Sequence, residues 1–197
     1  MKTRWHIGLM TGTVLDGNID VAFLRTDGKI IEEFGYYNLL PYDEEVKGLL
    51  IKAISEAQIW DFNGPEPAIF SKTEAALTNS QTVAVQRCIK LSGIDENEIE
   101  AVGFHGQTVL HRAPNKLSKG KTRQLGDGQT MANKLGIPVV YEFRTKDIAE
   151  GGQGAPLCPI YHVALLKKIG ATSTTAILNL GGLGNLSCYS KNYGLIA

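Results

Sequence analysis

Several features that would assign a function directly are missing from this sequence of 197 residues. It has only 3 cysteines, Cys88, Cys158 and Cys188, and no Cys-x-x-Cys pair, so a zinc-finger spacing and a thioredoxin-like motif are excluded. Reduced, widely separated cysteines behave as small apolar residues and are typical of a reducing cytosol. We therefore predict a cytoplasmic protein without a metal–thiolate site.

The sequence also lacks an excess of charge of either sign, with 20 Lys+Arg against 20 Asp+Glu. Nucleic acids and anionic membranes require a basic surface, so we expect neither as a partner. No apolar run approaches the roughly 18–20 residues that span a membrane. Residues 1–6 have no apolar segment of the signal-peptide kind, and we expect no secretory leader.

The common catalytic motifs are absent as well. No Gly-rich segment is followed by Gly-Lys-Ser/Thr, so the Walker phosphate loop is missing, and no intact Gly-x-Gly-x-x-Gly opens a helix. No Ser/His/Asp order or nucleophile elbow is evident. A phosphate-bearing ligand can still bind to backbone N–H groups, which provide local positive potential without changing the net charge.

Hydrophobic periodicity predicts strands first, and then strands that alternate with helices. The predicted strands are 5–10, 19–24, 30–40, 100–104, 138–143, 174–180 and 185–189, and the predicted helices are 43–56, 71–91, 129–135 and 159–168. The first three strands are expected to form an antiparallel meander, with Ile19, Val21 and Phe23 on one face. The strand 174–180 looks buried. The pattern is typical of one α/β domain with a mixed sheet.

The segment 12–18, Gly-Thr-Val-Leu-Asp-Gly-Asn, lies in the turn of the first predicted hairpin. Glycines allow a phosphate to approach the backbone closely, and Thr13 adds a hydroxyl donor. Asp16 can hold Mg²⁺, because hard cations prefer carboxylate oxygens. The alternative is a plain hairpin turn in which Asp-Gly provides a positive φ.

Two further polar segments follow predicted strands, where α/β sheets commonly line a cleft. His105 and Gln107 flank a glycine, and Arg144 and Asp147 precede a Gly-Gly-Gln-Gly-Ala-Pro loop. Arginine is suited to bind a carboxylate through two parallel hydrogen bonds. The alternatives are a polar turn with a satisfied histidine and a solvated cluster of charges.

Taken in order, the motifs resemble one family. They are GLMTGTVLDG at 8–17, HGQTVLH at 105–111, QLGD at 124–127, FRTKDIAEGGQGAPL at 143–157 and NLGGLGNLS at 179–187. They are similar to the G-x-M-S-G-T-S-L-D-G, HGQTVxH, QIGD, DFRxxDIAxGGQGAPL and NIGGIANLS patterns of anhydro-N-acetylmuramic acid kinases. The resemblance covers nearly the whole chain.

The resemblance implies the two-lobed ribonuclease H-like fold of sugar kinases, actin and the Hsp70 ATPase, with residues 1–197 as the N-terminal lobe. It implies ATP and Mg²⁺ as cofactors, 1,6-anhydro-N-acetylmuramic acid as substrate and a homodimer of the full-length protein. The implied reaction opens the anhydro bridge with water and phosphorylates O6. The implied substrate-binding residues are His105, Gln107, Arg144 and Asp147, with Asp16 at the metal. The implied nucleotide loop consists of Gly12, Thr13, Val14, Leu15, Asp16, Gly17, Asn18 and Ile19.

The sequence departs from the family patterns at a few positions. Thr11 and Val14 replace two serines, and Glu142 replaces an aspartate. In the family, the strand after NLS is followed by Asp-Thr-Gly-Pro-Gly-Asn, whose aspartate is the general base, and here the chain ends at Ala197. We therefore expect a truncated chain that is inactive alone. The alternatives are a catalytically inactive binding module and a kinase of the same superfold with another sugar substrate.

Overall fold

The computed structural model describes residues 2–11, 16–171, 175–180, 184–190 and 194–196. The strands are β1 (Arg4–Met10), β2 (Asn18–Thr26), β3 (Ile31–Pro41), β4 (Ile99–Phe104), β5 (Gln107–Arg112), β6 (Lys121–Leu125), β7 (Val139–Tyr141), β8 (Ala176–Leu180), β9 (Gly184–Ser190) and β10 (Gly194–Ile196). The helices are α1 (Glu44–Trp60), α2 (Ile69–Ser92), α3 (Gly128–Leu135), α4 (Phe143–Ala149) and α5 (Pro159–Lys168). Among these described elements, no helix is both long and apolar enough to cross a membrane.

The largest sheet has five strands in the order β3-β2-β1-β4-β7. The pairs β1–β2 and β2–β3 are antiparallel, which confirms the predicted meander. The pairs β1–β4 and β4–β7 are parallel, and α1 and α2 lie in the connection that parallel pairing requires. The predicted mixed α/β sheet is therefore confirmed, and it is consistent with a lobe of the sugar-kinase and actin type.

The core lies between this sheet and the two long helices. Alternate residues of β2 face it, which confirms the predicted face of Ile19, Val21 and Phe23, exposed by only 2%, 1% and 2%. On α1 the buried residues Val46, Leu50, Ala53 and Ala57 recur every three or four positions, as they do on one side of a helix. The parallel end of the sheet is thereby fixed against two rigid helices.

Helix boundaries follow the local backbone signals in part. The residues that follow α2 and α3 are Gly93 and Gly136, whose φ of 70° and 69° are typical of glycine at the end of a helix. The segment Ser71–Glu74 has the residue spacing of a capping box, but α2 already begins at Ile69, so Ser71 lies inside the helix. Glu74, the acidic member of that box, instead accepts a hydrogen bond from the Gly126 N–H at 2.9 Å.

Two elements near the carboxyl ends of β4 and β7 differ from the sequence prediction. The antiparallel hairpin β5–β6 was not predicted, and it carries the 107–112 segment away from the sheet. The strand predicted to reach residue 143 ends at Tyr141, because Glu142 adopts a left-handed conformation with φ of 56° and α4 begins at once. Both differences bring polar segments to the same end of the sheet.

The strand β8 is not buried as predicted. It is the edge strand of a three-stranded sheet with the order β10-β9-β8, and its Leu178 and Leu180 side chains are 60% and 77% exposed. Apolar residues in this strand therefore face away from the described part of the chain. The neighbouring helix α5 has the predicted bounds, and its last residue, Lys168, donates hydrogen bonds to the Ile31 and Glu32 carbonyls of β3 at 3.1 and 2.9 Å.

Candidate functional site

The loop between β1 and β2 is the predicted phosphate-binding segment. Residues 12–15 lie outside the described residues, and the loop is described from Asp16 onward. Asp16 Oδ1 accepts a hydrogen bond from the Asn18 N–H at 3.0 Å, and Gly17 has a φ of 88°. Ile19 is 2% exposed in the core, so only its backbone is available to a ligand. The described half of the loop is thus a tight turn held by a carboxylate.

A second carboxylate lies near that turn. Burial raises the pKa of Asp20, and the negative charge of Asp16 raises it further. Burial also raises the pKa of Tyr42. The hydrogen bond that Gln81 donates to the Tyr42 hydroxyl at 2.6 Å acts in the opposite direction and lowers this pKa. Two carboxylates that repel each other fit a hard divalent cation. No cluster of three or more His, Cys, Asp or Glu exists among the described residues, so Asp16 can provide only part of a Mg²⁺ shell.

His105 lies at the end of β4 and is 7% exposed. Its Nδ1 lies 2.8 Å from the Gly106 carbonyl oxygen, which can only accept, so Nδ1 carries the proton. Its Nε2 then accepts from an Arg144 Nη2 N–H at 3.0 Å. Burial lowers the pKa of His105 and the Arg144 charge lowers it further, so the neutral ring is favoured. The Nδ1 bond to Gly106 thus fixes the ring, and Nε2 holds Arg144.

The Arg144 guanidinium lies in the first turn of α4 and is half-buried. Its Nη1 donates to the Gly154 carbonyl at 2.6 Å, and its Nε has no hydrogen-bond partner among the described residues. Burial lowers the pKa of Arg144, and no carboxylate of the described residues forms an ion pair with its guanidinium. A half-buried cation without a carboxylate partner is a strong site for an anionic ligand.

Asp147 organises the loop that follows α4. Its Oδ2 accepts from the Gly154 N–H at 2.7 Å, and its carbonyl accepts from the Gly152 N–H at 2.7 Å. A Cβ on Gly152 would lie 2.2 Å from Asp147 Oδ2, so a side chain there would displace the carboxylate that holds Gly154. Asp147 thus holds the N–H of Gly154 and Arg144 holds its carbonyl, so both side chains fix the glycine-rich loop.

Several buried polar atoms in the β5–β6 hairpin have no partner among the described residues. They are Gln107 Oε1, Thr108 Oγ1 and Gln124 Oε1. Thr108 and Gln124 face each other across the hairpin, and Gln107 pairs with Leu125 one position along. Because buried polar groups normally find a partner, such atoms mark places where a polar ligand or a water binds.

The phosphate-loop segment and the His105 segment meet at one backbone carbonyl. Thr11 is 2% exposed, and its Oγ1 donates to the Gly106 carbonyl at 3.0 Å. The same oxygen accepts from His105 Nδ1. Gly106 has a φ of 64°, and a Cβ there would lie 2.3 Å from the Leu125 carbonyl oxygen. The two predicted halves of the site are therefore joined at Gly106.

Comparison with known proteins decides the family. The family model for anhydro-N-acetylmuramic acid kinase matches residues 4–197. The chain belongs to this family. A protein of that name from Brucella anthropi is 54% identical over 197 residues, which are 100% of this chain and 53% of the relative. The corresponding protein of Rhizobium rhizogenes is 54% identical over 187 residues, 95% of this chain and 50% of the relative. The chain spans about half the length of these curated relatives.

Some residues in the kinase-family motifs have local structural roles. Asp127 caps α3 by accepting from the Thr130 N–H at 2.9 Å, and the pKa of its carboxyl is lowered mainly by the Thr130 hydroxyl. His162 is buried, and its Nδ1 lies 2.9 Å from Ser187 Oγ. These residues stabilise elements around the site, so motif membership alone does not identify a ligand contact.

The sequence prediction assigned no site role to Thr11, Thr108, Gln124 or Gly154. Their positions within the family motifs were the available signal, but the reason for each lies in contacts between distant segments. Thr11 and Gly106 are separated by 95 residues, and Arg144 and His105 by 39. Spacing along the chain cannot reveal such pairs.

His105 should make stability depend on pH. Above a pH of about 6.5, the usual pKa of histidine, the ring is neutral in both the folded and unfolded chains. Below it the unfolded chain takes up the proton first, because the folded pKa is lowered, so the free energy of unfolding falls with falling pH until the folded pKa is reached. In urea titrations between pH 8 and 5, the free energy of unfolding should fall less with falling pH for His105→Gln than for the original chain. Parallel curves would contradict the neutral tautomer.

Proposed function

We propose that residues 1–197 form the amino-sugar and phosphate-binding lobe of a cytoplasmic, ATP- and Mg²⁺-dependent kinase of cell-wall recycling. The reaction converts 1,6-anhydro-N-acetylmuramic acid and water to N-acetylmuramic acid 6-phosphate. Family membership supports kinase activity. The single observation that carries the sugar assignment is the half-buried Arg144 guanidinium with its unpartnered Nε.

On the sugar side, Arg144 binds the carboxylate that distinguishes muramic acid from other amino sugars. A guanidinium presents donors in a planar fork that matches a carboxylate. His105 fixes the rotation of that fork, and Asp147 holds the loop that forms its other wall. Gln107 Oε1, buried without a partner among the described residues, accepts a hydrogen bond from a sugar hydroxyl or the acetamido N–H.

On the nucleotide side, residues 12–19 bind the phosphates through backbone N–H groups, and Asp16 holds hydrated Mg²⁺. ATP bound with Mg²⁺ supplies the transferable phosphoryl group and neutralises the charge that develops on it. Asp20 increases the negative potential beside Asp16, which favours the cation. Thr11 positions this loop relative to the sugar side through the Gly106 carbonyl.

A binding module without turnover is the second candidate. Phosphoryl transfer from ATP to this sugar also requires a general base to activate water. His105 has both ring nitrogens engaged, and Asp147 accepts a hydrogen bond from its own loop. The described residues proposed for the sugar side are thus arranged to bind and orient a ligand, and neither His105 Nε2 nor Asp147 Oδ2 is free to accept a proton from water.

Calorimetry with two matched sugars separates these candidates. The chain should bind 1,6-anhydro-N-acetylmuramic acid at least about tenfold more tightly than 1,6-anhydro-N-acetylglucosamine, which lacks the carboxylate. A parallel ³¹P NMR assay with ATP and Mg²⁺ follows formation of the 6-phosphate. Binding with turnover supports the kinase, and binding without turnover supports the binding module. Equal affinity for the two sugars would contradict the assigned role of Arg144.

A further inference from the structure

The segment 101–126 has an unusual charge pattern for a chain with zero net charge. It contains no Asp or Glu, but it carries Arg112, Lys116, Lys119, Lys121 and Arg123. These cations lie in and around the β5–β6 hairpin, which the sequence prediction did not include. A local excess of positive charge of this size is an electrostatic feature that the mechanism above does not use.

Within the described residues, two of these five cations have carboxylate partners. Arg123 pairs with Glu66 at 2.8 Å and Glu74 at 3.2 Å, and Arg112 pairs with Asp61 at 2.9 Å. The three lysines of the hairpin form no ion pair with a carboxylate in the part of the chain that the structure describes. Relative to the described carboxylates, the loop and the start of β6 therefore keep three uncompensated positive charges.

Two of the lysines line a cavity of about 390 Å³ beside the hairpin loop. Its polar lining includes Lys119, Lys121, Arg112 and Ser118, and Asp61 is its only acidic wall residue among the described ones. The Lys121 ammonium lies 5.6 Å from the centre of the Phe62 ring, which orients it without neutralising it. The volume falls in the range of small-molecule sites, roughly 300–1,000 Å³.

The walls of this cavity are held in place by local contacts. Asn115 Oδ1 accepts from the Leu117 and Ser118 N–H groups at 2.8 and 3.0 Å, which fixes the loop turn. Gly120 packs so closely that a Cβ would lie 2.7 Å from Ile148 Cδ1 of α4. On the opposite wall Asp61 has a left-handed φ of 39°, and its ion pair with Arg112 ties it to β5. A fixed cavity binds a ligand at a smaller entropic cost than a flexible one.

We propose that this cavity binds a small phosphate dianion, either free phosphate or the phosphate group of a small ester. Lysine ammonium groups are compact point charges suited to phosphate, and Lys119 and Lys121 both line this cavity without a carboxylate partner among the described residues. The cavity is separate from the Arg144 site, although His111 belongs to its wall and also contacts the Gly154 loop. The assignment does not depend on the proposed kinase reaction.

Titration with inorganic phosphate and glucose 6-phosphate at constant ionic strength, against chloride and glucose, tests the proposal. Chemical shifts of the His111 ring and calorimetry report binding. Burial and Arg144 lower the pKa of His111, so a bound dianion should raise it measurably. Tighter binding of glucose 6-phosphate than of phosphate supports an ester site, and equal binding supports a free phosphate site. Shifts that chloride reproduces overturn the proposal, because they reflect screening alone.

Matched variants locate the binding. The double variant Lys119→Gln/Lys121→Gln should weaken phosphate affinity by about tenfold or more, since it removes both wall charges. Lys116→Gln removes a charge from the same loop outside the cavity wall and should change the affinity less than about twofold. All three side chains are exposed, so folding should be retained. Equal effects of the double and control variants would contradict binding in the cavity.

Discussion

Arg144→Gln should weaken binding of 1,6-anhydro-N-acetylmuramic acid by about 100-fold, which corresponds to roughly 2.7 kcal/mol. The variant removes a half-buried cation that has no carboxylate partner among the described residues, so a bound carboxylate would be left without its main donor. Arg144→Lys keeps the charge and loses the planar fork, and should lose about tenfold. Calorimetry with the purified chain measures both.

The neutral 1,6-anhydro-N-acetylglucosamine serves as the control ligand, and its affinity should change less than about threefold in both variants. The exposed Arg87 on α2 provides a control substitution, since Arg87→Gln should leave both affinities unchanged. Equal losses for the acidic and neutral sugars would show that Arg144 shapes the site generally, and the carboxylate assignment would be wrong.

Gly106→Ala should destabilise the chain by more than about 3 kcal/mol. The φ of 64° disfavours any side chain, and the new Cβ would lie 2.3 Å from the Leu125 carbonyl oxygen, a backbone atom that cannot move aside alone. The shift would also break the bonds that the Gly106 carbonyl accepts from Thr11 and His105. Urea denaturation followed by circular dichroism measures the loss.

Gly136→Ala is the matched control for that substitution. Gly136 has a similar φ of 69°, but nothing lies within 4 Å of its added Cβ, so the variant carries the conformational cost alone, about 1 kcal/mol. The difference between the two variants isolates the steric clash at Leu125. If both variants lost the same stability, the close packing around Gly106 would be refuted.

Elements with strong local signals were predicted well. α5 has the predicted bounds because Pro159 is pre-organised for the first helical turn and Lys167 and Lys168 favour the last one. The predicted ends of α2 and α3, at residues 91 and 135, lie within one residue of the observed ends, because a glycine that tolerates the left-handed conformation follows each helix. In each case the residues that determine the helix end lie within a few positions of it, so a short stretch of sequence is enough to predict it.

Elements that depend on distant contacts were predicted poorly. The β5–β6 hairpin has a polar connection of several residues and mixed burial, so neither a short turn nor strict alternation indicates it. The apolar strand β8 was predicted to be buried, but Leu178 and Leu180 are exposed, because an apolar pattern does not specify which surface would cover it. Glu142 ended β7 through a backbone conformation that its residue type does not favour.

In the candidate site, too, local sequence signals were predictive and contacts between distant segments were not. The family motifs predicted that His105, Gln107, Arg144 and Asp147 belong to one region. Arg144 and Asp147 both form hydrogen bonds with Gly154, and His105 forms one with Arg144. The roles of these residues in binding stay predictions. The neutral tautomer of His105 and the unpartnered Arg144 Nε follow from three-dimensional packing. Neither can be predicted from the residue types of the motifs.

The shared Gly106 carbonyl has a consequence for ligand cooperativity. Thr11, which leads into the predicted nucleotide loop, and His105, which holds Arg144, donate to the same oxygen atom. A displacement of that peptide changes both hydrogen bonds together, so the first ligand to order it lowers the entropic cost for the second. Under the proposed function, thermodynamic reciprocity requires nucleotide to tighten sugar binding by the same factor by which sugar tightens nucleotide binding. The Gly106 peptide would then contribute to the size of that shared factor.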